Sequence, residues 1–61
     1  MPYIEVKSFE RRIDDASAKR IIEELTDGLC AALGEEVREA TWVVVEGVPA
    51  SRWGIGGKVS T

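Results

Sequence analysis

The sequence predicts an α/β fold: a single β-α-β unit with a short C-terminal hairpin, one domain spanning residues 1–61. Three observations predict it. Residues 3–8 alternate polar and apolar side chains, residues 16–33 carry an apolar stripe at helical spacing, and residues 41–46 form a second strand-like run. Two such strands joined through a helix make one right-handed parallel crossover.

The first strand reads Tyr3-Ile4-Glu5-Val6-Lys7-Ser8, with Ile4 and Val6 on one face and Glu5 and Lys7 on the other. The side-chain period of two also places Pro2 with Ile4 and Val6. Residues 10–13, Glu-Arg-Arg-Ile, read as a connection, after which Asp14 or Asp15 can cap a helix. From Ala16 to Leu33, the residues Ala18, Ile21, Ile22, Leu25, Leu29, Cys30 and Leu33 make one stripe, and Lys19, Arg20, Glu23, Glu24 and Asp27 fill the remaining surface. Gly34 stands where a left-handed C-cap is expected. Gly28 lies inside the helix at a cost of about 1 kcal/mol relative to Ala, which a close backbone neighbour would explain.

In the second strand, the unbroken run Trp42 to Val45 predicts burial on both faces, as for a parallel strand in a covered sheet. Gly47-Val48-Pro49-Ala50-Ser51 then turns the chain. Arg52-Trp53-Gly54-Ile55-Gly56-Gly57 predicts a hairpin. Its glycines serve either a tight turn with positive φ or the close approach of a ligand.

A chain this short hides only about 60 % of its unfolded surface when it folds alone. It has one cysteine, Cys30, and no histidine, so neither an internal disulfide nor an ordinary zinc site is expected. Two strands and one helix leave a sheet face and both sheet edges bare. The sequence therefore predicts assembly: two copies dimerising edge to edge into a four-stranded sheet with two helices on one face, with further copies over the open side. Eight Lys and Arg against eleven Asp and Glu give a net charge of -3, which argues against nucleic acid and against an anionic membrane surface as partners. No apolar run approaches the ~20 residues of a membrane span. Met1 to Lys7 lacks the pattern of a signal peptide. A lone cysteine without an export signal fits a cytoplasmic location.

The catalytic inventory is narrow. Without histidine there is no Ser-His or Cys-His pair. Cys30, beside the helix stripe, reads as a small buried thiol. The C-terminal glycines make neither a phosphate loop nor a dinucleotide fingerprint, since Val59 follows Gly57-Lys58 and no helix comes after them. Pro2 offers more. Removal of Met1 would leave its ring nitrogen as a free secondary amine. An unperturbed α-amino group titrates near 7.7–8.0, roughly. Apolar surroundings and a nearby arginine both disfavour the cation and bring that value toward neutrality, as a general base requires. The plain alternative is a proline at a strand edge.

Pro2 at the head of the first strand, Arg12 after it, the β-α-β unit and the terminal Trp53-Gly54-Ile55-Gly56-Gly57 occur together. This combination resembles the 4-oxalocrotonate tautomerase family, from Pro2 to Gly57. The resemblance implies a tautomerase-like fold and an enzyme that uses neither cofactor nor metal. The proline nitrogen, freed of Met1, would carry a proton between the enol or dienol and the keto form of a small 2-oxo acid. The implied assembly is a homo-oligomer, a hexamer built as a trimer of dimers, with its sites near subunit contacts. By position, Pro2 is the implied base and acid, Arg12 the residue that holds a substrate carboxylate, Trp53 the apolar floor and Phe9 a pocket wall. Arg11 adjoins Arg12 in a connection that looks one residue longer than usual, and is an alternative for the same role. The family's second arginine, at the start of strand two, has no counterpart: the segment reads Ala40-Thr41-Trp42, with Arg38 three residues early and Arg52 as a candidate substitute. Two other readings stand beside this one. One is a non-catalytic subunit of a mixed oligomer that lends Arg12 or Trp53 to a neighbour's site. The other is a related dehalogenase or hydratase, which ranks lower because no acidic residue stands near Trp53 in the sequence.

Overall fold

In the computed structural model, which describes residues 1–60, strand β1 (Tyr3–Phe9) lies parallel to strand β2 (Trp42–Val48). Tyr3 stands opposite Trp42, Val6 opposite Val45 and Phe9 opposite Val48. Helix α1 (Asp15–Leu33) joins the two strands and packs mainly against β2. Strands β3 (Gly54–Ile55) and β4 (Lys58–Val59) form a separate antiparallel hairpin. The β-α-β unit with a C-terminal hairpin is thus the observed architecture. Each long strand runs slightly further than the sequence suggests.

The helix starts one residue before Ala16 because Asp14 closes a reciprocal cap. The Asp14 carboxylate accepts from the Ser17 backbone N–H at 2.7 Å, and the Asp14 N–H donates to Ser17 Oγ at 2.9 Å. The Ser17 N–H holds the Asp14 carboxyl below its ordinary pKa. At the other end Gly34 has φ 108° and ψ 157°, so it takes the positive φ expected of a C-cap but continues extended instead of left-handed helical. Its N–H donates to Cys30 O at 2.8 Å.

A 3-10 segment, Glu35–Ala40, follows, which the sequence pattern does not announce. It is tied down by Arg38. The guanidinium donates to both Glu35 carboxylate oxygens, at 2.8 and 3.1 Å, and to Asp27 of α1 at 2.9 Å. Those bonds, Glu35 foremost, raise the pKa of Arg38 above its ordinary value and lower that of Glu35.

Two expectations fail within the single chain. The β2 run is covered on one face only: Val43 and Val45 are half-buried, whereas Trp42 is 58 % and Val44 44 % exposed. Among the described residues there is one α-helix, and it covers one side of the sheet. Gly28 has no close backbone neighbour, and a Cβ built there meets open space. Glycine is required elsewhere. At Gly47 a Cβ would lie 2.9 Å from Glu10 Cα and 3.2 Å from Ile13 Cβ, because the chain leaving β1 crosses directly over β2. In the hairpin only Gly56 and Gly57 have positive φ, 61° and 84°, as a two-residue turn of this kind needs, while Gly54 is ordinary strand.

Cys30, 3 % exposed, is the one fully buried hydrophobic residue among those described. The radius of gyration is 14.2 Å, whereas a compact globule of this length has about 10.5 Å. The single chain is therefore an open plate with most of its apolar residues only half covered.

Candidate active site

The residues singled out by sequence fall at the two ends of the parallel sheet. Pro2 lies just before β1 and is half-buried. Its carbonyl accepts from the Trp42 N–H at 3.0 Å, which fixes the head of the chain to the start of β2. Met1, by contrast, is 80 % exposed. Continuing the strand register by one step puts Thr41 opposite Pro2. The Thr41 hydroxyl donates to Val37 O at 2.7 Å, so it is turned to the preceding segment. Arg38, the nearest arginine in sequence to this end, is committed to Glu35 and Asp27.

The other candidates gather beyond the C-terminal end of β1. The strand stops at Phe9, and Glu10–Arg12 form a 3-10 turn. Arg12 therefore leaves the strand alternation that would have placed it on the face of Pro2. Phe9 and Trp53 pack with ring centroids 5.0 Å apart and planes inclined at 37°. The Arg11 guanidinium lies 4.7 Å from the centre of the Phe9 ring. Trp53 is held by its indole N–H, which donates to Val48 O at 3.1 Å, and by backbone bonds to Ala50 and Ser60. A shallow cavity of about 250 Å³ opens beside this cluster, lined by Phe9, Glu10, Arg11, Pro49, Ala50 and Ser51.

Of the two arginines, Arg11 lines that cavity. Arg12 is exposed, and its carbonyl accepts from Ser17 Oγ at 3.4 Å. Arg52 ends a 3-10 turn, Ala50–Arg52; the Glu46 carboxyl is held below its ordinary pKa first by the hydrogen bond and charge of Lys7, and least by the charge of Arg52. Sequence reasoning missed Glu10, Pro49, Ala50 and Ser51 as lining residues. The usable signal was Gly47, whose close approach to Glu10 brings the 49–51 turn beside the exit of β1. Glu10 also adds an acidic residue to the cavity lining beside Phe9.

Phe9 and Pro2 are seven residues apart along an extended strand, a span of about 23 Å. One chain cannot bring the proline nitrogen, the arginines and Trp53 to one small molecule. It presents two separate clusters: the Pro2 end beside the start of β2, and an aromatic, arginine-rich end beyond β1. Among the described residues, no three of His, Cys, Asp and Glu gather as a metal site would require. No helix is long and apolar enough to cross a membrane.

A family model described as tautomerase enzyme matches residues 2–61. The chain belongs to the tautomerase family. The match starts at Pro2 and leaves out Met1. A probable tautomerase of Ralstonia nicotianae is 40 % identical over 57 residues, covering 93 % of this chain and 79 % of the relative. No solved structure matches the chain. Family and relative together support a tautomerase-type isomerase; the match is to the tautomerases as a whole and does not single out the 4-oxalocrotonate branch.

Proposed function

We propose that this tautomerase interconverts the enol or dienol and keto forms of a small 2-oxo acid, with the nitrogen of Pro2 as the proton carrier after removal of Met1. The observation that carries the reading is the anchored head of the chain. The Trp42–Pro2 hydrogen bond holds the proline at the sheet end, while Met1 projects into solvent. With Met1 attached, the proline nitrogen is a tertiary amide and has no useful basicity. Once freed, it is a secondary amine fixed in place by its own carbonyl. The family match beginning at Pro2 agrees with a working chain that starts there.

The chemistry follows from these groups. In ketonisation the enol oxygen gives up a proton, the electron pair shifts toward the distant carbon, and that carbon takes a proton. One amine near neutral pKa can accept the first proton and return it to carbon. The substrate carboxylate is held by the arginines of the Glu10–Arg12 turn, and a guanidinium there stabilises the charge that spreads into the 2-oxo group. Phe9 and Trp53 supply an apolar wall, which disfavours the protonated amine. Since these groups lie at opposite sheet ends, the active species is an assembly of copies, for which the trimer of dimers is the expected form. No step calls for a cofactor.

The test is the pH–rate profile of aryl-enolpyruvate ketonisation on protein whose intact mass shows Met1 gone. A required group titrating near neutrality is expected. Replacing Pro2→Ala is expected to lower kcat/KM by roughly 100-fold or more. Full activity in that variant, or in protein that keeps Met1, would sink the proposal.

A further inference from the structure

The two long strands open on an aromatic pair. Tyr3 stands directly opposite Trp42 in the parallel register, and the two are 54 % and 58 % exposed. Both lie on the sheet face away from α1, since the half-buried residues are the next ones along each strand, Ile4 and Val43. Neighbouring strands run about 4.8 Å apart, so the two side chains leave the sheet as neighbours. Exposed Val44, two residues on from Trp42, extends this apolar surface. Past it the face turns charged: Glu5 stands opposite Val44, and Lys7 opposite Glu46. Lys7 is held by Glu46 at 2.6 Å and by Glu5 at 3.6 Å. Arg38, the arginine nearest in sequence to Trp42, is likewise held by Glu35 and Asp27.

The pair adjoins Pro2. Tyr3 follows it in the chain, and the Trp42 N–H donates to Pro2 O at 3.0 Å. The proline nitrogen is a backbone atom, so it lies at the end of the sheet, between the two faces. On the α1 side that end is partly covered, with Pro2, Ile4 and Thr41 all half-buried. The open side carries Tyr3 and Trp42.

The chemistry of the substrate decides what meets them. In the enol of a 2-oxo acid, C2 carries the hydroxyl that loses a proton and C3 receives one. The carboxylate is attached to C2, and the substituent that distinguishes one such acid from another is attached to C3. An amine that delivers the proton must approach C3 to roughly 3 Å. The substituent, one bond further, therefore rests against whatever flanks Pro2. A second carboxylate placed there would give up water while the cations near it are already bonded to other carboxylates, and it would approach Glu5. An aryl ring would instead cover apolar surface and pack on two aromatic side chains.

We infer that Trp42, together with Tyr3, is the specificity-determining surface of this tautomerase and selects enols with an aryl group on C3 over enols of diacids. The placing of C3 rests on the proton-transfer reading of Pro2; the preference for an aryl ligand can be measured without turnover.

Ketonisation of phenylenolpyruvate and of the enol of oxaloacetate is compared in the parent, Trp42→Ala, Trp42→Phe and Tyr3→Ala chains. Each is freed of Met1 and checked for oligomeric state by size exclusion. Trp42→Ala is expected to lower kcat/KM for the aryl enol about tenfold more than for the diacid enol, and Tyr3→Ala about threefold more. Trp42→Phe is expected to keep most of the parent's preference. An unchanged ratio, or an equal fall on both enols with altered assembly, marks the pair as structural and overturns the inference. Titration calorimetry with phenylpyruvate and oxaloacetate on the Pro2→Ala chain needs no substitution at Trp42. Phenylpyruvate is expected to bind about tenfold more tightly, and Trp42→Ala in that background to abolish the difference. Equal binding, or tighter binding of oxaloacetate, overturns the inference. If the Pro2→Ala chain works at the parent rate while the binding preference follows Trp42, the chemistry given to Pro2 fails and the surface stands. If activity needs Pro2 but the preference ignores Trp42, the surface alone fails.

Discussion

The guanidinium of Arg11 rests 4.7 Å from the centre of the Phe9 ring, and that ring in turn leans on Trp53. A planar cation laid on an aromatic face keeps the N–H groups at its rim available. That is the arrangement a carboxylate needs from an arginine. Arg12, the residue singled out by resemblance, lies one position further along the same turn and outside the cavity.

The two arginines are therefore expected to differ. Arg11→Ala should raise KM for a 2-oxo acid enol by about 10- to 100-fold, the loss of one charge-assisted bidentate contact. Arg12→Ala should raise it less. Steady-state kinetics of both variants beside Arg11→Lys checks this, and a larger effect at Arg12 would return the role to the residue the resemblance favours.

Trp53 has two duties that can be separated. Its indole N–H bonds Val48 O at 3.1 Å, and its ring packs on Phe9. Trp53→Phe keeps an aromatic ring and loses the bond, so stability should fall by about 1 kcal/mol while KM changes little. Trp53→Ala removes both and should also raise KM. Denaturant titration and kinetics on the two variants read out the two effects.

Gly47 lets the exit of β1 cross β2. Gly47→Ala would push a methyl group to 2.9 Å from Glu10 Cα. The turn must shift, at an expected cost of about 1–3 kcal/mol. Because the turn carries Arg11, KM should rise with the loss of stability. Thermal melts and kinetics on the same sample test both.

The Asp14 cap makes stability depend on pH. Its carboxyl has a folded pKa below the ordinary 3.8, owing first to the Ser17 backbone N–H. A depressed carboxylate stabilises the fold above its unfolded pKa, and that contribution fades as the pH falls through the lower folded value. Asp14→Ala should lower Tm at pH 7 by about 5 °C at fixed protein concentration. The gap from the parent should narrow below pH 4, and a gap unchanged down to pH 2 would exclude the carboxylate as its source.

The sequence by itself determined the two long strands, the α-helix and the hairpin, and their order. The alternation of Ile4 and Val6, the stripe through Ile21, Leu25 and Leu29, and the Gly56-Gly57 turn are each short-range patterns, and backbone geometry converts such patterns directly into strand, helix and hairpin. It also pointed to Pro2, since the position of a residue in the chain needs no fold to be read. What only the tertiary structure decided is where the chemistry-bearing residues lie relative to one another. The turn at Glu10–Arg12 takes Arg12 off the strand alternation and sets Arg11 on Phe9, and nothing local in Glu-Arg-Arg distinguishes the two. Phe9 meets Trp53 through a contact between segments some forty residues apart. The half-covered β2 run has the same cause: its apolar sequence reads as burial on both faces, and the one α-helix among the described residues covers only one of them, which a sequence pattern alone cannot show.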